Sequence, residues 1–399
     1  MRRGLPGWLL ALTLFAVAAS CGKAVPEPLT PSTAGTEVLR LRWVKRLGPE
    51  LPNFMIPEMV EQYDRFNPVE MGSAGFDTDK RRAFVGAAVG GLYCLDVRDG
   101  ATVWRFDVDD PVGSTPVYDP SRIWVFFGAD DGKLYAVHAR SGREIWSVET
   151  GSEIRRPVVL REDTLYVANA DNTVLAFDAE NGEVIWRYRR APLEGFSSSG
   201  YADILVEGQT IVGAFGDGTL VALDAISGAV IWEADLAAEV VAATEEGALN
   251  LVDADATPVI IGQTVVAASV AGGMYGVDLE TGTVQWTRPD IHRVTGLAGA
   301  NGFAYAARAG IGLTAVDPLS GRVIFSSRFG RGVLLDPLIH DDVMVISDTV
   351  AGLYVVSTAD GRVMQRLDQK KGHFARPSTH GGYLLIMGNR GTLYALSIN

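Results

Sequence analysis

A single pattern is written into the chain eight times. Its first copy, GGLYCLDVRDGATVW, runs from Gly90 to Trp104, and later copies end at Trp146, Trp186, Trp232 and Trp286. Two degenerate copies end at Phe325 and Gln365, and the eighth, GTLYALSIN, reaches Asn399 without its turn and aromatic strand. In each copy a Leu-Tyr-Ala-Leu alternation specifies a strand, and an Asp-x-x-x-Gly segment specifies a turn whose glycine is free to take positive φ. Val-x-Trp then opens the next strand. The unit is a hairpin, and a strand-rich period of about 40 residues that cannot bury a core alone predicts the stacked blades of a propeller. The recurring tryptophans read as architecture rather than ligand platforms, because a large flat ring can seal the gap between neighbouring blades.

The Gly-x-Leu-Tyr-like strands fall near residues 92, 134, 174, 220, 274, 313, 353 and 393. They predict an all-β fold, an eight-bladed propeller of four-stranded antiparallel blades, in which the last blade lacks an outer strand. VLRLRWVKRL, residues 38–47, can supply that strand, with Trp43 as the eighth aromatic. Closing the ring in this way removes the unpaired sheet edges of an open array. A chain of 399 residues has room for two or three ordinary domains, but the repeat is unbroken from about residue 75 onward, so a single propeller over residues 38–399 is expected.

The first residues read as a processing signal. Arg2 and Arg3 form a basic region, Leu9 to Ala19 a short apolar one, and Ala18, Ala19 and Ser20 precede Cys21. This resembles a bacterial lipoprotein signal, residues 1–20, which implies cleavage before Cys21 and its acylation. Ala18 stands where such signals usually carry Leu, and an ordinary secretory signal is the alternative; either exports the chain. By resemblance to lipoprotein sorting, Gly22 rather than Asp after the cysteine implies the periplasmic side of the outer membrane. Residues 22–37, with three prolines and no apolar periodicity, read as a tether behind the lipidated cysteine. Nothing after residue 20 approaches the apolar run that a membrane span needs.

Charge and cysteine usage narrow the function. The formal charge of −13 becomes −15 when Arg2 and Arg3 are removed, which argues against binding to nucleic acid or anionic headgroups. Cys21 and Cys94 are the only cysteines, and Cys94, between Tyr93 and Leu95, reads as a small core residue. Repeats of this type also occur in quinoprotein dehydrogenases, which hold a quinone with calcium ligands and a catalytic carboxylate. No such cluster is visible in the sequence, and no catalytic residue, cofactor or metal site is expected. His138 occupies a repeat-turn position, and His292, His340, His373 and His380 show no ligand-like spacing. The Asp- and Asn-rich stretches 128–135, 169–172 and 216–219 precede strands and lack the calcium-loop schedule, so they read as hairpin turns. Gly195 to Gly200, GFSSSG, misses the nucleophile-elbow pattern at Ser199 and reads as a loop.

Irregularities in the period carry more information. The interval from Trp104 to Trp146 is 42 residues and from Trp146 to Trp186 it is 40, but from Trp186 to Trp232 it is 46 and from Trp232 to Trp286 it is 54. Two connections that follow a tryptophan strand are therefore lengthened. They flank one blade, and long loops side by side on a rigid ring make a binding surface.

The span Leu251 to Trp286, with its Asp-x-Asp-x-Thr-Pro string, and the shortened final repeat resemble the BamB family of outer-membrane β-barrel assembly lipoproteins. The resemblance covers the lipoprotein start and all eight blades. It implies a non-enzymatic scaffold whose partners are the periplasmic domains of BamA, the central barrel subunit, together with the outer-membrane lipid anchor and unfolded outer-membrane proteins. Its partner-binding positions fall on Leu193, Glu194 and Gly195 and on Asp253 and Asp255. The family's basic position is Glu194 here, a charge reversal for which Arg189 or Arg190 could substitute, and the Asp pair either meets the partner or braces its own loop. Residues 49–72 are longer than the family pattern. A periplasmic propeller of the same repeat class that binds another protein or a carbohydrate is the alternative.

Overall fold

The computed structural model describes residues 30–31, 37–47, 72–79, 81–190, 202–236, 256–269, 272–369, 372–373, 375–388 and 391–398. Eight antiparallel sheets follow one another along the chain. Blades 1 to 7 span residues 74–106, 117–149, 159–189, 205–235, 259–288, 294–328 and 338–368. Blade 8 combines Ser378–His380, Tyr383–Gly388 and Thr392–Ile398 with Leu39–Arg46 from the other end of the chain. The fold is the eight-bladed propeller that the repeat predicts. A two-residue strand, Thr30–Pro31, pairs with Leu367–Asp368 at the edge of blade 7, so the stretch expected as a tether carries a short strand.

The first strand of a blade meets the first strand of the next, as 74–76 does with 117–119 and 259–261 with 294–300, so these short strands lie innermost. The second and third strands are almost wholly buried, whereas the fourth shows water every other side chain. The core is a series of layers between blades rather than one central mass. Tyr166, Val174 and Trp186 of blade 3, for example, pack on Ile211, Val221 and Leu223 of blade 4.

The repeated residues act across the blade boundary. Each fourth strand carries a bulge one residue before its aromatic position, skipping Val103, Ile185 and Ile231 in their blades, which re-aims the following ring. The indole N–H then donates to a carbonyl in the third-to-fourth-strand turn of the next blade: Trp104 to Ala139 at 2.9 Å, Trp186 to Ala225 at 3.0 Å, Trp232 to Leu279 at 2.9 Å and Trp286 to Pro318 at 2.7 Å. Trp146 packs on the same turn but its Nε1 has no acceptor among the described residues. The turn glycine is required twice over. Gly228 has φ of 70°, and a Cβ there would lie 2.6 Å from the Trp186 ring.

Leu39–Arg46 repeats this geometry. It pairs from Leu39↔Ile398 to Arg46↔Thr392 with its bulge just before Trp43, and Trp43 donates to Val97 O at 2.7 Å in blade 1. Gln365 replaces the aromatic in blade 7 for a physical reason. Blade 8 is completed by the other end of the chain, so it has no Asp-x-x-x-Gly turn for a tryptophan to grip. Instead the Gln365 carboxamide oxygen accepts from Val38 N at 3.0 Å and Leu39 N at 2.7 Å, while its Nε2 donates to Leu39 O at 2.9 Å.

Candidate partner-binding face

Because strands alternate in direction, the connections between blades share a face with the second-to-third-strand turns. The described residues that bound the two lengthened connections, Arg190 and Ala202 for the first and Leu236 and Ala256 for the second, therefore stand on that face, before and after blade 4. Leu193, Glu194, Gly195, Asp253 and Asp255 lie outside the described residues, as does Cys21. The structure places the chain on either side of these segments.

Arg190, at the entrance to the first connection, is held by four groups. Its Nε pairs with Asp217, Nη1 lies 3.2 Å from Glu233 Oε2 and within reach of Tyr188 Oη, and Nη2 donates to Thr219 Oγ1 at 2.9 Å. Its charge is thus matched within blade 4. Arg189 pairs with Asp171 at 2.7 Å, with its side chain 60% exposed. Of the two cations that could stand in for Glu194, Arg189 is the accessible one. At the start of the second connection Leu236 is buried, and its N–H donates to Gly218 O at 3.0 Å.

The returning ends of both connections meet at the ring's axis. Asp203, which follows the first, accepts a side-chain bond from Arg376 and lies 3.6 Å from Arg156 Nη1. Thr257, which follows the second, accepts from Asp203 N at 3.3 Å and from Arg376 Nη2 at 3.4 Å. Arg376 Nε sits 2.6 Å from Asp336 Oδ2, and burial pushes the Asp336 carboxyl above its ordinary range against the pull of Arg376. Arg156, Thr257, Asp336 and Arg376 all immediately precede a proline at the entrance to a first strand. That shared position is a sequence signal, and aligning the copies on their tryptophans leaves it out.

A crevice of about 230 Å³ including its open mouth runs between blades 3 and 4 on this face, lined by Asn169, Asn172, Thr173, Ala202 and Phe215 among others. It offers amides and a hydroxyl but no charged side chain. No group of three His, Cys, Asp or Glu able to hold a metal ion occurs among the described residues. With the axis crossed by the Arg376 cluster, the described residues do not fit a quinone held with calcium.

A family model described as outer membrane protein assembly factor BamB matches residues 34–125, 88–325 and 295–399. The chain belongs to the BamB family. It is 26% identical over 254 residues to the BamB of Bordetella pertussis, covering 62% of this chain and 64% of that protein. The BamB of Shewanella oneidensis is 22% identical over 349 residues, covering 82% of this chain and 71% of that protein. The crystal structure of BamB from Moraxella catarrhalis superposes with a TM-score of 0.73 at 18% identity, over 90% of this chain and all of that one. The quinohemoprotein alcohol dehydrogenase of Comamonas testosteroni gives 0.66 at 15% identity, over 91% of this chain and 77% of that one. The ring is thus shared by BamB proteins and by quinoproteins.

Proposed function

We propose that this BamB-family chain is a non-enzymatic scaffold of outer-membrane β-barrel assembly, held to the periplasmic face of the outer membrane by acylation of Cys21. Its partner surface is the face around blade 4, which receives the periplasmic domains of BamA. What supports this reading is that the period lengthens at the two connections before and after blade 4, whose bounding residues share one face, in a ring whose sequence belongs to the BamB family. Leu193 supplies an apolar anchor and Asp253 a hydrogen-bond acceptor, while Arg189 provides the basic group that Glu194 lacks. Losses at interface anchors are about 2 kcal/mol or more each. Leu193→Ala combined with Asp253→Ala is therefore expected to weaken binding of the detergent-extracted full chain to purified BamA periplasmic domains by well over tenfold, with its melting temperature retained. Full affinity in that double variant, with binding shown for the parent, would place the interface elsewhere.

Acylation makes a separate statement about location. A lipoprotein anchor of several acyl chains holds a protein stably to a bilayer, so an exported Cys21→Ala chain is expected in the soluble periplasmic fraction after a high-salt wash. Complete retention with outer membranes would rule out the lipid as the holding force.

A further inference from the structure

The cluster at the axis joins blades that are far apart in the ring. Arg376 belongs to blade 8 and Asp203 to blade 4, the blade diametrically opposite, and 173 residues separate them. Arg376 is also fastened on its own side. Its carbonyl accepts from Ser73 Oγ of blade 1 at 3.0 Å, and its Nε is matched by Asp336 of blade 7, whose Oδ1 accepts from Leu297 N of blade 6 at 3.0 Å. Arg376 is thus tied to three near blades, through its backbone carbonyl and through Asp336, while its guanidinium grips residues of two far ones, Asp203 of blade 4 and Thr257 of blade 5. Each gripped residue follows the first described residue, Ala202 or Ala256, after one of the two long connections.

As channel filler this arrangement has no advantage, since well-packed apolar side chains are generally at least as stabilising as a buried ion cluster. What a planar, multiply bonded guanidinium adds is direction, because its donors fix the separation of the groups they bind. We propose that Arg376 is a positioning residue for the partner-binding face, setting the returning ends of the two long connections at a fixed distance from each other and from the rest of the ring. The role rests on the reading of that face as the BamA-binding surface. It assigns a function to a residue on the opposite side of the ring from blade 4.

Arg376→Met alone leaves Asp336 buried without its cation and Asp203 with Arg156 only, 3.6 Å away, and is expected to fold poorly. The test therefore uses the neutralised variant Arg376→Met with Asp336→Asn, which keeps the Arg156–Asp203 pair, alongside Thr257→Val and Arg376→Lys, all in the detergent-extracted full chain. Two quantities are read: hydrogen exchange at the backbone amides of 202–206 and of 256–260 apart from Pro258, and affinity for purified BamA periplasmic domains. In the neutralised variant exchange at those amides should rise while other blades keep their protection, and affinity should fall on the order of tenfold, the usual scale of coupling between distant sites. Thr257→Val should show a smaller loss, and Arg376→Lys should recover part of the affinity.

A neutralised variant that is folded, with parental exchange at those amides and parental affinity, overturns the proposal, as does loss of protection spread evenly over all blades. If the parent itself does not bind the BamA domains, the assembly reading falls, and the exchange measurement alone then decides the positioning role. Unchanged protection at 202–206 and 256–260 rejects that role, and a local rise upholds it.

Discussion

A chain lacking residues 38–47 is expected to melt more than about 10 °C below the parent, because several large buried side chains, each contributing roughly 1.5–3 kcal/mol, leave the ring together. Leu39 and Leu47 are 1% and 2% exposed, and Trp43 packs against the layer between blades 8 and 1. The deletion also strips the partner from Thr392–Ile398, whose seven residues are all buried, and presents that strand to water as a bare apolar edge. On the blade 7 side it leaves the Gln365 carboxamide without Val38 and Leu39. On the blade 1 side it removes the Trp43 bond to Val97 and the bonds from Lys45 Nζ to Gly100 O at 2.5 Å and Thr102 Oγ1 at 2.7 Å. Trp43→Ala removes the ring but leaves the strand paired, and should lower the melting point by less. Thermal unfolding followed by near-ultraviolet circular dichroism separates the cases, and a deletion that melts with the parent would refute closure by the N-terminal strand.

Stability should also fall as pH drops below about 6.5, above the range of the turn carboxylates, on account of one histidine. His373 is fully buried between blades 7 and 8, with Nδ1 3.3 Å from Met387 O, its ring edge-on to Tyr394, and Nε2 without a partner among the described residues. Burial pushes its pKa down to about 4. In the unfolded chain the same group binds a proton near 6.5, so between these values the unfolded state holds more protons and stability rises with pH. The contribution is complete above about 6.5 and lost progressively towards 4, amounting to about 3 kcal/mol, with roughly 2 kcal/mol gone by pH 5. The turn carboxylates of Asp224 and Asp278, held below their ordinary range by hydrogen bonds from Ser227 and Thr281, lose their contribution only below about 3.8. Denaturant unfolding at pH 7 and pH 5 should show the loss in the parent and little of it in His373→Gln. Equal slopes in the two proteins would show that His373 takes up its proton in the folded state as readily as in the unfolded chain.

The ring was legible because its signal is local and repeated. Asp224 to Trp232 contains the capping carboxylate, the positive-φ glycine and the aromatic of one unit, and each has its structural meaning within a few residues or in the next blade. Even the closing strand was visible, since Trp43 completes a count. The meaning of Gln365 was not, because it depends on Val38 and Leu39, more than 300 positions away. Arg376 shares its place before a proline with Arg156, Thr257 and Asp336, but nothing near it announces a carboxylate in the opposite blade. His373 likewise reads in sequence as an ordinary polar residue, and only the packing of Met387 and Tyr394 around it sets its chemistry. The lengthened connections could be located from the period, but the partner contacts within them were assigned by family resemblance alone.

The closing strand also has a history within each molecule. Synthesis proceeds from the N-terminus, so Leu39–Arg46 emerges roughly 350 residues ahead of the strand it pairs with, Thr392–Ile398. Through that interval an apolar strand with Leu39, Leu41, Trp43 and Val44 waits with both edges open, the kind of segment on which chains of different molecules mispair. Its composition answers the hazard, since Arg40, Arg42, Lys45 and Arg46 place four positive charges among those apolar residues. Two such strands repel each other, whereas the terminal strand that finally receives one carries no charged side chain of its own between Thr392 and Ile398. The basic residues of the first strand thus act as gatekeepers during the period before the ring exists.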